Sequence, residues 1–369
     1  MICGFMGFAE KILLKSNSFR YYKDKYNKLN KENKKLKKRN YKLQFEVIDL
    51  KKHLHESSKR DIHEKLINGQ FNDINISIKT PNPKGHHHWG DHFYAMALKK
   101  SFIKQGFNVE IHEKEDWYGH ENEDIVIVLR GLTNYNVNYD SINIIWNISH
   151  PDRISYAEYE KYDVVFIASD KYARLVKQKI NSPVFALLQC CDPEVFYPKE
   201  NDNLKENEIL FVGSTRNVYR DIIKDISKTK HSFSVFGPGW EDFIDEKYIK
   251  DDFVPNEMLN QYYSSCKILL NDHWEDMKEN GFISNRIFDA LACGCFVISD
   301  KMQEIDNLFE GNVITYNEVK DLDKKLDYYL THDDERNEKA LKGKDIVLNN
   351  HTFDNRVDEI INALKNINF

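Results

Sequence analysis

The chain has 369 residues, 41% of them apolar and 30% charged, which is enough apolar material for about two ordinary domains plus an extension. Its net charge of −6 is unevenly spread: residues 1–60 hold 17 Lys/Arg against 6 Asp/Glu, or +11, and the remainder carries −17. No apolar run approaches the roughly 20 residues of a membrane span, and no basic segment precedes the first apolar stretch, so neither a spanning protein nor a secretory leader is expected and a cytoplasmic location is.

Residues 1–19 begin with the apolar MICGFMGFAEKILL, and eleven Lys/Arg follow between Arg20 and Lys42. That combination suits peripheral contact with an anionic membrane leaflet, at the inner face of the membrane, or equally a helix packing on a dimer partner. Residues 20–64 read as a basic coiled coil. Leu29, Leu36, Leu43 and Leu50 occupy heptad position d, and Tyr26, Asn33, Asn40, Val47 and Leu54 occupy a. In a parallel homodimer Glu32 would face Lys37 and Glu46 would face Lys51, while Asn at a trades stability for register. The competing reading is a single solvated basic helix. Nucleic-acid binding is not expected, because no aromatic stacking groups are interleaved with base-reading residues.

From residue 72 onward short apolar runs alternate with amphipathic segments. The first domain, 72–198, is expected to carry strands over 74–79, 108–112, 124–130, 142–149, 164–169 and 184–188, with helices over 91–105 and 171–180. After a polar linker the pattern restarts in a second domain, 205–350. Strands are expected there over 208–214, 233–237, 267–272, 296–300 and 313–316, with helices over 217–229, 256–265 and 284–292. Residues 351–369 read as a closing C-terminal helix. Continuous apolar strands spaced by helices indicate parallel sheets covered on both faces. The fold class is therefore α/β, two Rossmann-like doubly wound domains preceded by a helical coiled coil, with ligands expected outside the carboxyl ends of the strands.

The run NDHWEDMKENGFISNRIFDALACG, 271–294, carries the most chemistry. A buried strand empties into a polar loop, and Gly281, Phe282, Ile283 and Ser284 lead into a helix bearing Asn285, Arg286 and Asp289. Backbone amides at such a helix N-terminus favour phosphate, and a carboxylate two turns along can accept hydroxyl hydrogen bonds. Arg216 and Arg220, just beyond the strand ending near Ser214, can neutralise a diphosphate; their bland alternative is a pair of surface arginines. Trp240, in the turn FGPGW, can offer a face to a base or close the core beneath the turn. The six cysteines lack CxxC spacing and suit reduced thiols. The triple histidine 86–88 has no acidic partner spaced for zinc, so no metal and no cofactor are expected.

The string GFISNRIFDALACGCFVISD, with FVGSTRNVYR, FGPGW and YYSSCKILLNDHW upstream, resembles glycosyltransferases of the spore-maturation CgeB type, over roughly residues 75–369. HHHWGDHFYAMAL supports the same resemblance in the first domain. It implies a GT-B fold and metal-independent transfer of a sugar from a nucleotide-sugar donor to a glycan or lipid-linked acceptor across an interdomain cleft. Asp289 stands where related transferases carry a ribose-binding glutamate. The related Glu-x7-Glu pattern is broken at Gly281, which puts contact from that first acid to the donor sugar in question. The loop holding Val254 resembles one whose backbone reads the base. Asp91 is either an N-cap or the catalytic base, and His150 is a candidate contact to the donor sugar, with a buried structural histidine as its alternative. Arg130 is a weaker cleft candidate. A nucleotide-sugar epimerase and a non-catalytic, sugar-nucleotide-binding scaffold are the rival functions.

Overall fold

A computed structural model describes residues 17–86, 89–367 and 369, with side chains from residue 21 onward. The apolar N-terminal stretch 1–16, on which membrane contact was expected, lies outside the described residues, as do His87 and His88. The chain divides into two units that meet between Leu54 and His55. The first is one helix, α1, Asn17–Leu54, a span free of glycine and proline. Its Leu29, Leu36, Leu43 and Leu50 are all exposed, so the heptad stripe is an open surface of that helix.

The second unit opens with α2, Glu56–Ile67. Lys59, Ile62 and Leu66 recur at helical spacing and are buried, and the two apolar ones join the first core cluster. The Lys59 ammonium lies 2.7 Å from Asp163, whose other oxygen accepts the Asn143 amide at 2.8 Å. Residues 56–64, expected within the coiled coil, fall in the second unit, and the described helix of the first unit ends at Leu54.

The first sheet contains β1 (Asn75–Lys79), β2 (Asn108–His112), β3 (Ile125–Arg130), β4 (Ile142–Asn147), β5 (Val164–Ile167) and β6 (Val184–Ala186). All are parallel, in the order β2-β1-β3-β4-β5-β6. Every residue of β3 and β4 is buried, because helices cover both faces, so both strands are mostly apolar and their polar members, Arg130, Asn143 and Asn147, are hydrogen-bonded within the protein. Helix α3 (Gly90–Lys104) follows β1, the short α4 (Tyr156–Tyr159) follows β4, and α5 (Asp170–Lys177) follows β5.

The second sheet repeats the plan with β7 (Ile209–Val212), β8 (Ser234–Phe236), β9 (Ile249–Asp251), β10 (Ile268–Asn271), β11 (Val297–Asp300) and β12 (Ile314–Tyr316). The order is β12-β11-β10-β7-β8-β9, again parallel. Successive strands run outward from β7 in one direction and from β10 in the other. The crevice between β7 and β10 is thus the topological switch point, where ligands of open α/β sheets bind. Helices α6 (Asp221–Ile226), α7 (Leu259–Ser265), α8 (Glu275–Asn280), α9 (Asn285–Ala292) and α10 (Gln303–Leu308) connect these strands. The helix expected from 217 is shorter, because Arg216 and Asn217 both take positive φ and extend the turn. Strand β9 and helices α11 (Val319–Thr331) and α12 (Asp333–Asn350) were not anticipated; β9 has three residues, too few for a period.

The last helix, α13 (Phe353–Lys365), returns to the first domain, where Phe353, Val357, Ile360 and Leu364 complete its core. In the other direction, Met277 and Phe282 of the second domain are buried in the cluster formed by Trp117, Val126, Val128 and Ile145 of the first. Ser169 Oγ also donates to the Asn280 carbonyl at 2.6 Å. The segment joining α8 to α9 is therefore anchored in both domains.

Removing one partner of a buried ion pair leaves an uncompensated charge, so Lys59→Ala is expected to cost about 3–5 kcal/mol of stability in chemical denaturation. Lys230→Ala, at the exposed Lys230–Asp327 pair (2.8 Å), leaves the midpoint unchanged.

Candidate active site

Strand β7 is followed by Gly213, where a Cβ would lie 2.9 Å from the Arg286 guanidinium and 3.1 Å from that of Arg220. Only the bare backbone allows both cations so close to the strand end. Behind it, Gly237 approaches the Gly213 carbonyl so tightly that a Cβ would sit 2.4 Å from that oxygen. Trp240 donates its indole N–H to the same carbonyl at 2.9 Å and packs edge-on against Phe211. It is wholly buried. Trp240 is thus the core support of the turn and does not offer a face to a nucleotide base.

Arg220 is buried against Asp272, with Nε 3.3 Å from Oδ2 and Nη2 on Oδ1, and it donates to the Ser214 carbonyl at 3.2 Å. Arg286 donates to Asn271 Oδ1 at 2.9 Å. Both guanidiniums stack on Phe211, at 4.7 and 5.5 Å from its centroid. Arg216 holds its guanidinium 4.6 Å over Trp274 from a left-handed backbone at φ +59°. Burial and the Arg220 and Arg286 charges push the Arg216 pKa down to about 9, so it is still a cation at neutral pH. Burial, then Arg220, lowers that of Arg286 as well. Among the described residues, Asp272 is the carboxylate in contact with this trio. An anion arriving here would relieve the repulsion that depresses both values. The adjoining cavity, about 350 Å³, is lined by Arg216, Arg220, Asp272, Trp274, Lys278 and Asp300.

The amides expected to hold phosphate are mostly engaged within the protein. Those of Gly281 and Phe282 donate to the carbonyls of Lys278 (3.3 Å) and Met277 (2.8 Å), and that of Ser284 donates to His273 Nε2 (2.9 Å). The reason is the left-handed close of α8 at Gly281, φ +76°, whose missing side chain would stand 2.9 Å from Glu304. Phe282 and Ile283 are buried anchors, one in each domain's core. The first-turn amides of Asn285 and Arg286 remain, since a helix offers them no acceptor of its own. Further along α9, Asn285 donates to Asp289 at 2.8 Å, and burial raises the Asp289 carboxyl well above the usual range. Asp289 opens on a second cavity, about 330 Å³ and mostly apolar, between the domains; Tyr94, Met96, Phe196, Asn256 and Asn285 share its wall. The Val254 side chain is buried in the second core, while Phe253 beside it is exposed.

On the first domain, His150 follows β4 in a left-handed conformation, φ +51°. Its Nδ1 is 3.4 Å from Asp276 and its ring 5.9 Å from that of Trp274, so it does stand between the domains. Burial lowers the His150 pKa, and burial together with Asp152 raises that of Asp276. His150, Asp152 and Asp276 bring their ligating atoms within 4.8 Å of one another, the grouping among the described residues that could hold a cation. Asp91 is not an N-cap: α3 starts at Gly90 behind Trp89, with no side-chain cap bond. Thr80, just beyond β1, donates to the Asp91 carbonyl at 3.4 Å, which places this helix start at the carboxyl edge of the first sheet. Burial pushes the Asp91 carboxyl up to about 6. Arg130 is withdrawn from the cleft, buried on Glu158 at 2.7 Å. Sequence reasoning passed over Asp272, His273, Trp274, Asp276 and Asp300, although four of them belong to NDHWED at the end of β10; Asp300 is joined to them only by strand pairing.

The comparisons with known proteins bear on the fold. Residues 216–362 match the family model described as glycosyl transferase-like. A stretch of 164 residues is 24% identical to the spore protein CgeB of Bacillus subtilis (strain 168), covering 40% of this chain and 51% of that protein. The chain thus spans about half the length of this curated relative. Sucrose-phosphate synthase from Thermosynechococcus elongatus superposes with a TM-score of 0.59 at 9% identity, over 79% of this chain and 98% of that one. An alpha-glucosyltransferase solved with UDP-glucose and DNA gives 0.59 at 11%, over 79% and 99%. Anabaena HepE solved with UDP and glucose gives 0.56 at 10%, over 80% and 100%. The fold is GT-B. The resemblance to CgeB-type glycosyltransferases read from the second-domain motifs is borne out, and at these identities the structural neighbours speak for the GT-B fold alone.

A carboxyl whose folded pKa stands near 6 disfavours the native state above its unfolded value near 4, with the full cost present above about pH 6 and none below about pH 4. Asp91→Asn is therefore expected to gain on the order of 2 kcal/mol at pH 7 and nothing at pH 4, measured by denaturation at both pH values.

Proposed function

We propose that the protein is a glycosyltransferase that moves a sugar from a nucleotide-sugar donor to a polysaccharide, glycolipid or glycoprotein acceptor in cell-surface glycan synthesis. The observation that carries this reading is the convergence of Arg216, Arg220 and Arg286 beside Gly213 with Asp272 in contact. It lies at the switch point of the second sheet, where a diphosphate is held in such folds. Structural neighbours solved with UDP or UDP-glucose support a nucleotide-sugar donor. DNA is not proposed as acceptor, because residues 61–369 carry −17.

In this reading the nucleoside occupies the apolar interdomain cavity with its ribose hydroxyls on Asp289, assisted by Asn285, and the backbone around Val254 meets the base. The diphosphate lies on Arg220, Arg286 and the free first-turn amides of α9, with Arg216 reaching over from Trp274. As the bond from the sugar's anomeric carbon to the diphosphate breaks, these cations stabilise the leaving group. Asp91, with its raised pKa, accepts the acceptor hydroxyl's proton, and His150 contacts the donor sugar. The guanidiniums supply the positive charge that a metal would otherwise bring, so turnover is expected to survive EDTA despite the His150, Asp152 and Asp276 grouping.

The test is incubation with a panel of nucleotide sugars, with and without glycan and lipid acceptors. Acceptor-dependent release of nucleotide supports transfer; interconversion of free sugars supports an epimerase; binding without turnover supports a scaffold. Arg216→Ala with Arg220→Ala should lower nucleotide-sugar affinity at least tenfold, about 1.4 kcal/mol. An unchanged affinity removes the diphosphate site. Near-normal turnover by Asp91→Asn would remove Asp91 from the chemistry.

The exposed heptad stripe of α1 supports a parallel homodimer on the cytoplasmic side of the membrane. Leu36→Asp is expected to halve the mass in light scattering, whereas a monomeric wild type would refute the dimer.

A further inference from the structure

We infer that His273 and Asp300 form a positioning dyad that sets the start of α9, and Arg286 with it, for the diphosphate; this rests on the glycosyltransferase reading above. The His273 imidazole is entirely inaccessible, with its Nδ1 2.7 Å from Asp300 Oδ1 and its Nε2 2.9 Å from the Ser284 amide nitrogen. A backbone N–H can only donate, so Nε2 carries the lone pair and Nδ1 carries the proton that goes to Asp300. The contacts fix one neutral tautomer. Asp300 is itself held by the Ser299 hydroxyl at 3.0 Å and by the His273 amide at 3.4 Å, and the Lys278 ammonium stands 3.7 Å away.

Both members of the dyad sit on the second sheet, at the ends of β10 and β11, which pair directly through Asn271 and Ser299. Their reach is to Ser284, the residue before α9. Met277, Asn280 and Phe282 tie that segment to the first domain, and Ile283 packs in the second core. Apolar packing of Ile283 is non-directional, so the Ser284 bond is the directional contact that sets the approach to α9 on the second domain, where Arg286 must meet its ligand. The dyad thus registers the helix start to Gly213 and Arg220. The His273 ring is inaccessible and acts through the Ser284 amide, so its role is positioning.

Glutamine at 273 places an acceptor oxygen near the Nε2 position, whereas asparagine reaches only as far as Nδ1. The experiment is calorimetric titration of the full chain with UDP, GDP, ADP and TDP, comparing wild type, His273→Gln and His273→Asn, with thermal melts of each. For the diphosphate that binds, the Gln variant should stay within about threefold of wild type and the Asn variant should lose roughly tenfold, the scale of one hydrogen bond. Imidazole 15N shifts of wild type, assigned by the signal lost in the Gln variant, should report the Nδ1–H tautomer at pH 7. That reading decides the matter if the Asn variant does not fold. An Nε2–H or doubly protonated ring, or equal affinity of Asn and wild type, overturns the dyad. If a folded wild type binds none of the four, the glycosyltransferase reading falls first and takes the dyad with it.

Discussion

Three guanidiniums converge at the junction of β7 and β10 with Asp272 as the carboxylate in contact, and the surrounding architecture holds them together. Like charges at this range repel, and Arg216 and Arg286 are both shifted toward the neutral form by burial and by their neighbours. Folding accepts that repulsion because three features hold the guanidiniums: the Phe211 ring beneath two of them, the acceptors Asp272, Asn271 and Ser214, and the glycine that leaves room above the strand. In the proposed reading, an anion is what this cluster of cations is suited to hold.

The support extends outward in layers. Gly237 and Trp240 fix the Gly213 carbonyl from behind. The α8–α9 segment is fastened at one end to the first domain's core by Met277 and Phe282, and at the other to the second sheet through His273. Because the segment belongs to both domains, any change in the angle between them is felt at the start of α9. The first domain brings its own titratable groups, Asp91 and His150, to the carboxyl edge of its sheet, where burial has moved both pKa values toward neutrality or below. In the proposed mechanism, donor grip and proton transfer are thereby divided between the two sheets.

Much of this could be read from the chain alone. Both sheets announce themselves because strands buried on two faces are mostly apolar, as β3 and β4 are apart from Arg130, Asn143 and Asn147. The helix start at 285 and the arginines at 216, 220 and 286 were visible as chemistry in a strand-to-helix loop. What stayed hidden needed three dimensions. Trp240 looked the same as a base platform or as a core plug, and only its burial beneath Gly213 separates them. The amides of Gly281, Phe282 and Ser284 looked available because sequence does not show which carbonyls or imidazoles will claim them. Asp300 lies 27 residues from its partner His273, and parallel pairing of β10 with β11 is what joins them. The capping role of Asp91 failed by two positions, since Trp89 is the N-cap and Gly90 the first helical residue.

A crystal structure of the full chain soaked with a nucleoside diphosphate from its preferred donor tests the central claim most directly. The β-phosphate is expected among the guanidiniums of Arg216, Arg220 and Arg286, within hydrogen-bond distance of the α9 first turn and with no metal bridging it. A diphosphate seated away from that trio, or one held through a cation on His150, Asp152 and Asp276, would contradict the account.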